Sequence, residues 1–489
     1  MTTGSDTRTA IPALPLQAHV RRAAGATTLL ALALGVGLGW CLWRMPMTVH
    51  DGLAPIFQAQ RAGSVAAVFE TGLTQRAYFR PLRVAQVAVV YRFGAGHELL
   101  AFKATHIALT LAACLLFAQL LSVRDAADAA AAAVALMVFI GHHAFFILVG
   151  EASPINHFLE IVVLSLLVVV LARGRASIVA DAGAVASVLV AVLTLESGLL
   201  VWVALVAAYA LGWRGVSRRA VAAATLVAVA ALVWRFGVLH VGTPQLDERS
   251  SGFGLARLDP AELRARFGAN PLPFYAYNVV SAALTVIISE PRNGTWIVLR
   301  EARQGHAQPW MLFHLASSLV LTSLMLAALR RGVPRLWRRE GTDADRLVAL
   351  AAIMVGANAV VGYAYLKDEI VSVAAAFYAA AACPVLAFLI DRAARLAGAR
   401  WRFAIVTLVL VSGAWTMRAA GTFLGLRSFA FKVGYDWAVA RLDRDLPNDA
   451  GDPPNVALFE RLRAENLRVR APNPLLTHQA RVGRIIEIR

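Results

Sequence analysis

The residues of this sequence that could do chemistry are ionisable side chains close to the ends of long apolar stretches. Asp51 comes a few residues after the apolar stretch 23–43 and is followed by Gly52, so its carboxylate is expected just beyond the end of a helix. A carboxylate held there can act as a general base toward a hydroxyl group or coordinate a divalent cation. Aspartate is also a good N-cap, and this structural interpretation has equal weight from the sequence.

A cluster of arginines follows Asp51. Residues 78–82 read Tyr-Phe-Arg-Pro-Leu and open a partly apolar stretch, 82–93, that predicts an amphipathic helix on a membrane surface. Proline in its first turn costs no hydrogen bond, and Arg80 would lie beside the positive end of the helix, where a phosphate binds well. A lone arginine more often extends toward the interface, and Arg76 and Arg83 nearby narrow the difference between these two interpretations.

Other candidates follow later apolar stretches. Glu151 and Glu196 could be second acids facing the same cavity, or simply solvated carboxylates at loop ends. Lys367 is a candidate phosphate contact. His142 and His143 could ligate a metal ion, but neighbouring helical residues point about 100° apart, which favours packing at the interface instead. The sequence identifies no metal, and a divalent cation is the one cofactor left open.

Long apolar helices must position these residues. Hydrophobic residues make up 59% of the 489 positions and charged residues 16%, whereas a soluble protein has about 25% charged residues. The apolar residues form blocks of about 18 to 22, enough to cross a hydrocarbon core of roughly 30 Å as helix. We therefore predict an all-α polytopic membrane protein with about 11 transmembrane helices.

The net charge of +17 comes from arginines at alternate ends of the apolar blocks. This placement follows the positive-inside rule and forms no continuous basic stripe, so nucleic acid is excluded as a partner. Arg21 and Arg22 then place the N-terminus in the cytoplasm, and block 23–43 is an uncleaved span instead of a signal peptide. Abundant alanine, with lysine only at 103, 367 and 432, suggests a bacterial protein and therefore a bacterial inner membrane. Alternation of about 11 spans from a cytoplasmic N-terminus then predicts a periplasmic C-terminus.

The predicted spans divide the chain into five parts. Two external loops are too long to be simple connectors. Short interfacial or re-entrant helices are expected at 259–267 and 279–288, both in the second of these loops. A short β-like ending is expected at 482–488. The parts are a cytoplasmic tail (1–22), a core of seven transmembrane helices (23–238) with an external loop (44–100), a long external loop (239–309), four further transmembrane helices (310–421) and an external C-terminal appendage (422–489).

Residues 51–121 resemble the first external loop and second helix of the GT-C superfamily of membrane glycosyltransferases, especially its protein O-mannosyltransferase-like branch. Asp51 follows the first helix, residues 78–82 look like the superfamily's Tyr-Arg-Pro-Leu motif, and residues 102–106 fit its Phe-x-x-x-Asn/His pattern. Residues 195–198, Leu-Glu-Ser-Gly, are similar to its short acidic turn. Two departures are His50, where a second acid often stands, and Lys367, where relatives often have arginine.

The resemblance implies a polyprenyl-phosphate-linked sugar as donor, Asp51 as catalytic base and Arg80 as a phosphate contact. We therefore expect an inverting transferase in the membrane that serves an external glycan, lipid or protein acceptor. The alternative is a non-enzymatic transporter or assembly partner for envelope glycolipids. It would need ionisable residues deep in the membrane, and the sequence has few. An enzyme should bring Asp51, Arg80 and either Glu151 or Glu196 together in one external cavity. The predicted substrate-binding residues are Arg76, Arg80, Glu151, Glu196 and Lys367.

Overall fold

The computed structural model describes residues 14–74, 79–151, 153–240, 265, 270, 272–291, 294–363 and 366–469, with side chains from residue 22 onward except at 50 and 51. All regular structure in these residues is helical. The helices are α1 (Leu14–Trp43), α2 (His50–Arg61), α3 (Val65–Thr74), α4 (Pro81–Phe93), α5 (Glu98–Leu120), α6 (Ala126–Gly141), α7 (His143–Gly150), α8 (His157–Arg173), α9 (Ile178–Thr194), α10 (Leu199–Ala210), α11 (Arg218–Leu232), α12 (Leu272–Ile288), α13 (Gly294–Arg303), α14 (Pro309–Trp337), α15 (Asp343–Val361), α16 (Ser372–Ala394), α17 (Gly398–Val439), α18 (Leu442–Asp445) and α19 (Pro453–Val469).

Many of these helices are long and apolar enough to cross a membrane. The bent pair α6 and α7, which meet at 58°, forms one further candidate span. The chain is therefore an all-α, multi-pass membrane protein, as predicted. The seven candidates among the described residues are Arg22–Trp43 in α1, α5, Arg218–Val238 in and after α11, α14, α15, α16 and α17.

Three other predicted spans form shorter helices. Helices α8 and α9 have 17 residues each and α10 has 12. At about 1.5 Å per residue, α8 and α9 extend roughly 25 Å and α10 roughly 18 Å, less than the roughly 30 Å of a hydrocarbon core. Since length alone does not qualify them as spans, the predicted total of about 11 stays a prediction.

The bend between α6 and α7 has a local cause at His142. Its backbone is extended, and its Nδ1 accepts a hydrogen bond from the Ala144 N–H, which caps α7. Helix α17 crosses at the same point, since a Cβ on Gly141 would lie 2.8 Å from the backbone nitrogen of Ala419. The Thr422 hydroxyl also donates to the Ile140 carbonyl oxygen at 2.8 Å. The glycine therefore permits a close crossing where the span changes direction.

The main core is built around α16, which packs against α6 and α15. Residues 373–383 of α16 are all buried, and most of them are alanine. Small side chains let neighbouring helices approach closely, which is how helices associate when lipid supplies no hydrophobic driving force between them.

A second core joins the segment 44–100 to residues near the C-terminal end of the described chain. Phe57 of α2, Trp437 of α17 and Phe459 of α19 are buried in it. The Met47 N–H donates to Asn466 Oδ1 at 2.8 Å, and Arg61 Nη1 lies 2.8 Å from Asp449 Oδ1. The segment 44–100 therefore has a folded structure that depends on residues about 400 positions away in the chain.

Two elements differ in extent from the sequence prediction. Helix α17 continues without a break to Val439, past the boundary at 422 where an appendage was expected. The apolar run predicted at 279–288 belongs to a longer helix, α12, which packs against α14, α15 and α16. The strand-like ending at 482–488 and, apart from residue 265, the helix expected at 259–267 lie outside the described residues.

Candidate functional site

Arg80 and Glu196, both predicted from the sequence, form an ion pair, and Arg235 pairs with the same Glu196 carboxylate. Arg80 Nε donates to Glu196 Oε2 at 2.9 Å and to Oε1 at 3.1 Å, and Arg80 Nη2 donates to Oε2 at 2.6 Å. Arg235 Nη1 lies 3.1 Å from Oε1 of the same carboxylate. We call these three residues the arginine–glutamate cluster; it holds two guanidinium groups on one carboxylate and has a net charge of +1.

Each arm of the cluster is fixed by its local backbone. Arg80 is the N-cap of α4, and Pro81 occupies the first turn, as the sequence predicted. Glu196 opens the 3-10 turn Glu196–Gly198 between α9 and α10. A Cβ on Gly198 would lie 2.0 Å from the Ala191 carbonyl oxygen, so only glycine fits this turn. The Leu-Glu-Ser-Gly sequence therefore serves to present the Glu196 carboxylate.

Arg235, which was not predicted from the sequence, completes the cluster. It lies in a π-helical segment, Val233–Val238, that continues α11, and the neighbouring Trp234 Nε1 donates to the Leu73 carbonyl oxygen at 3.1 Å. Single π-helical turns often occur at functional sites. The signal in the sequence was an arginine inside an otherwise apolar stretch, which is a functional hypothesis by default.

The single carboxylate of the cluster does not neutralise both guanidinium groups, so the cluster keeps a net positive charge. Burial raises the pKa of Glu196, but Arg80 and Arg235 lower it by more, so the net effect is a pKa below the ordinary value and an ionised carboxylate. The Arg235 side chain is only 16% exposed, and its buried Nε–H has no hydrogen-bond partner among the described residues. A buried donor without a partner is costly, so this site is arranged to receive a further acceptor, such as a phosphate oxygen.

A second polar group lies along α4 next to this cluster. Glu160 Oε1 accepts from Gln86 Nε2 at 2.6 Å, and Glu160 Oε2 lies 3.1 Å from His157 Nδ1. Glu160 sits in the first turn of α8, where a carboxylate is favourable next to the helix N-terminus. Glu160 is therefore held by two side chains near the start of its helix.

The remaining predicted site residues have less defined surroundings. Asp51 is the second residue of α2, whose N-cap is Val49, so the N-cap interpretation of Asp51 was wrong; its side chain lies outside the described residues, as does Arg76. A Cβ on Gly52 would lie 3.4 Å from Pro154 Cδ, so the turn that carries Asp51 packs against the segment after Glu151.

Glu151 and Lys367 lie on other segments of the same region. Ser153 Oγ donates to Glu151 Oε1 at 3.4 Å in the turn after α7, and Lys367 is half-buried between α15 and α16. Arg80 and Glu196 are thus in direct contact, whereas Glu151 and Lys367 lie on other segments.

Arg418 is the second buried arginine that the sequence analysis missed, and it lies in another environment. Its Nη2 donates to the backbone oxygen and, at 2.6 Å, to the hydroxyl of Ser289, and its Nη1 donates to Ser318 Oγ at 3.0 Å. His142 Nε2 lies 2.9 Å from the Val286 carbonyl oxygen, and Thr322 Oγ1 donates to that of Ile287 at 2.7 Å. We call these residues the α12 terminus cluster, because they satisfy the carbonyl groups that a helix end leaves without partners.

The histidine pair is divided between two roles. His142 contacts its cap and the α12 terminus cluster, while His143 Nε2 lies 3.7 Å from Asp368 Oδ2. Among the described residues, no group of three or more His, Cys, Asp or Glu side chains is arranged to hold a metal ion. Arg80 and Glu196 are therefore the predicted site residues with the best-defined shared geometry. No family model matches this chain, and neither a curated protein nor a solved structure matches it.

Proposed function

We propose that this protein is an inverting membrane glycosyltransferase that moves a sugar from a polyprenyl phosphate to an external acceptor. The observation that carries the proposal is the arginine–glutamate cluster, in which two guanidinium groups share one carboxylate and the buried Arg235 Nε–H has no partner among the described residues. Planar guanidinium groups are well suited to bidentate binding of phosphate. A phosphate-linked donor fits this site better than a neutral sugar does.

In this proposal Asp51 is the catalytic base. Its carboxylate takes the proton of the acceptor hydroxyl while the hydroxyl oxygen attacks the anomeric carbon of the sugar. The bond between that carbon and the phosphate oxygen breaks, and the electron pair leaves with the polyprenyl phosphate. Arg80 and Arg235 stabilise the negative charge that develops on the leaving phosphate, so no general acid is needed.

Glu196 has a positioning role in the same proposal. It holds both arginines in place before the donor binds, which removes the cost of ordering two long side chains at the moment of binding. Because Glu196 stays ionised between them, the arginines do not repel one another in the empty site. Entry of a phosphate then adds a second anion to a cluster with a net charge of +1.

The finer features of the protein are part of this proposal. We propose about 11 transmembrane helices of GT-C type in a bacterial inner membrane, with the N-terminus in the cytoplasm and the cluster on the periplasmic side. The acceptor is a glycan, a lipid or a protein. Arg76, Glu151 and Lys367 remain candidate substrate contacts, and a divalent cation remains a candidate cofactor.

The alternative proposal, a transporter or assembly partner for envelope glycolipids, would use ionisable groups deep in the membrane. Arg418 is such a group, since it is buried within the long helix α17. Its guanidinium, however, donates to oxygens of Ser289 and Ser318, which is a structural use of the charge. The enzyme therefore remains the better supported proposal.

The test is sugar transfer from radiolabelled polyprenyl-phosphate sugars in membranes that contain the wild-type chain or the Asp51→Asn variant. We expect the substitution to reduce transfer by about 100-fold or more at equal protein level, the usual contribution of a general base. Arg441→Gln, which changes an exposed ion pair with Asp443, is the control and should leave transfer unchanged. Equal transfer by wild type and Asp51→Asn would remove Asp51 from the mechanism, and no transfer from any donor would favour the alternative.

A further inference from the structure

A basic groove lies at the end of α1, away from the arginine–glutamate cluster. It has a volume of about 430 Å³, and none of its lining residues belongs to that cluster. The walls are the end of α1, the start of α5 and the last turn of α19. The residues that define it chemically are Trp40, Trp43, Arg44, Lys103, Glu465 and Arg468.

The groove results from the way α1 and α5 pack. A Cβ on Gly39 would lie 3.0 Å from Ile107 Cγ2, so the two helices are in close contact one turn before α1 ends. Lys103 Nζ then donates to the Trp43 carbonyl oxygen at 2.8 Å, which ties the start of α5 to the end of α1. The hydrogen bond from the Met47 N–H to Asn466 fixes α19 as the third wall.

The lining combines aromatic rings with unbalanced positive charge. Trp40 and Trp43 are 57% and 47% exposed, which is typical of tryptophans in the headgroup region of a bilayer. The Arg44 guanidinium lies 4.3 Å from the Trp40 ring centroid. Neither Arg44 nor Arg468 forms a side-chain hydrogen bond or ion pair with the residues that the structure describes.

The one carboxylate of the lining does not balance this charge. Three cations, Arg44, Lys103 and Arg468, line the groove together with Glu465. Burial and the nearby Glu98 both raise the pKa of Glu465. Glu465 therefore becomes protonated and neutral at a higher pH than an ordinary glutamate. The groove thus has a net charge of about +2 next to an apolar helix surface that carries the exposed side chains of Val36 and Leu100.

We propose that this groove binds the phosphate headgroup of an anionic phospholipid, with an acyl chain along the exposed surface of α1 and α5. Arg44 and Arg468 contact the phosphate oxygens, and the tryptophans lie at the level of the glycerol backbone. A cationic pocket that faces lipid attracts anionic headgroups, and each arginine near the membrane surface contributes a measurable share of the affinity. This lipid holds α19, and with it the second core, against the end of α1.

The test is native mass spectrometry of the full chain in detergent with phosphatidylglycerol or phosphatidylcholine of identical acyl chains. We expect phosphatidylglycerol to bind more tightly, and the double variant Arg44→Gln, Arg468→Gln to weaken this binding by roughly thirtyfold. The double variant Arg338→Gln, Arg400→Gln is the matched control, since both side chains are exposed and neither lines the groove. It should leave the affinity unchanged.

Three results would overturn the proposal. Equal binding of the two lipids would mean that the headgroup charge is not recognised. An equal loss of affinity in the control variant would mean that only total charge matters. Displacement of phosphatidylglycerol by inorganic phosphate at the same concentration would identify a site for the free anion. Because binding is measured directly, a negative result in the sugar-transfer assay leaves this test intact.

Discussion

The arginine–glutamate cluster and the α12 terminus cluster use buried arginine in opposite ways. Arg80 and Arg235 share a carboxylate between three helices, and one buried N–H donor of Arg235 has no partner among the described residues. Arg418 instead donates to backbone and hydroxyl oxygens at the end of α12. An ionisable residue at membrane depth is therefore a functional candidate only after its hydrogen-bond partners are known.

The two clusters also differ in what they do for the helix ends beside them. Helix α12 ends inside the helix assembly, and its last carbonyl groups need donors that water does not supply. Arg418, His142 and Thr322 supply them. The turn at Glu196 instead brings two cations onto one anion, which leaves a net charge of +1 in the cluster.

The largest effect is expected for Arg235→Gln, which removes one cation and the unsatisfied donor. Transfer should fall by about 100-fold, since loss of one donor to developing negative charge costs this much in other enzymes. The protein should still fold, because Arg80 retains its bidentate contact with Glu196. The readouts are the radiolabelled transfer rate and the fraction of monodisperse protein in size-exclusion chromatography.

Arg92→Gln is the matched comparison for Arg235→Gln, because it removes an exposed arginine from the helix that Arg80 caps, and the Arg92 side chain donates to the Ala62 carbonyl oxygen instead of Glu196. A similar loss of transfer in both variants would show that regional charge, and not the cluster, matters. Wild-type activity in Arg235→Gln would contradict the assigned role of the cluster.

A smaller effect, on stability, is expected for Arg418→Leu. The substitution removes the Arg418 donors to the buried Ser289 backbone oxygen and Ser318 hydroxyl, which should lower the free energy of unfolding by about 2 kcal/mol. Heating followed by size-exclusion chromatography would measure the loss as a lower midpoint temperature. The specific activity of the protein that remains folded should stay close to wild type; a selective loss of activity at unchanged stability would instead favour a functional role for Arg418.

The smallest effect is expected from pH acting on Glu196. Its folded pKa lies below the ordinary value, so the stability from its ion pairs is complete above the ordinary pKa of about 4.3 and is lost as pH falls through the lower folded pKa. As the pH is lowered from about 7 to about 3, the thermal midpoint should fall less steeply in Glu196→Gln than in wild type. Parallel curves for the two proteins would separate Glu196 from acid sensitivity.

Part of the site was accessible from the sequence because its signals are local. The Arg-Pro pair at 80 and 81 marks a helix start, and the Leu-Glu-Ser-Gly turn marks a sharp change of direction that requires Gly198. Both were predicted with their residues. Arg235 was missed because its partner is 39 positions away in the chain, and no periodic pattern predicts that a π-helical turn directs it toward Glu196.

The sequence by itself determined that this is a multi-pass helical membrane protein, because apolar length and low charge depend only on composition along the chain. It also determined where several helices begin and end, since caps, prolines and glycines act within one turn. The tertiary structure decided which groups meet: that Arg80 and Arg235 share Glu196, that Arg418 serves the end of α12, and that residues of α17 and α19 pack on the segment 44–100. These contacts join distant segments, and their energies depend on burial and mutual geometry that no local pattern specifies.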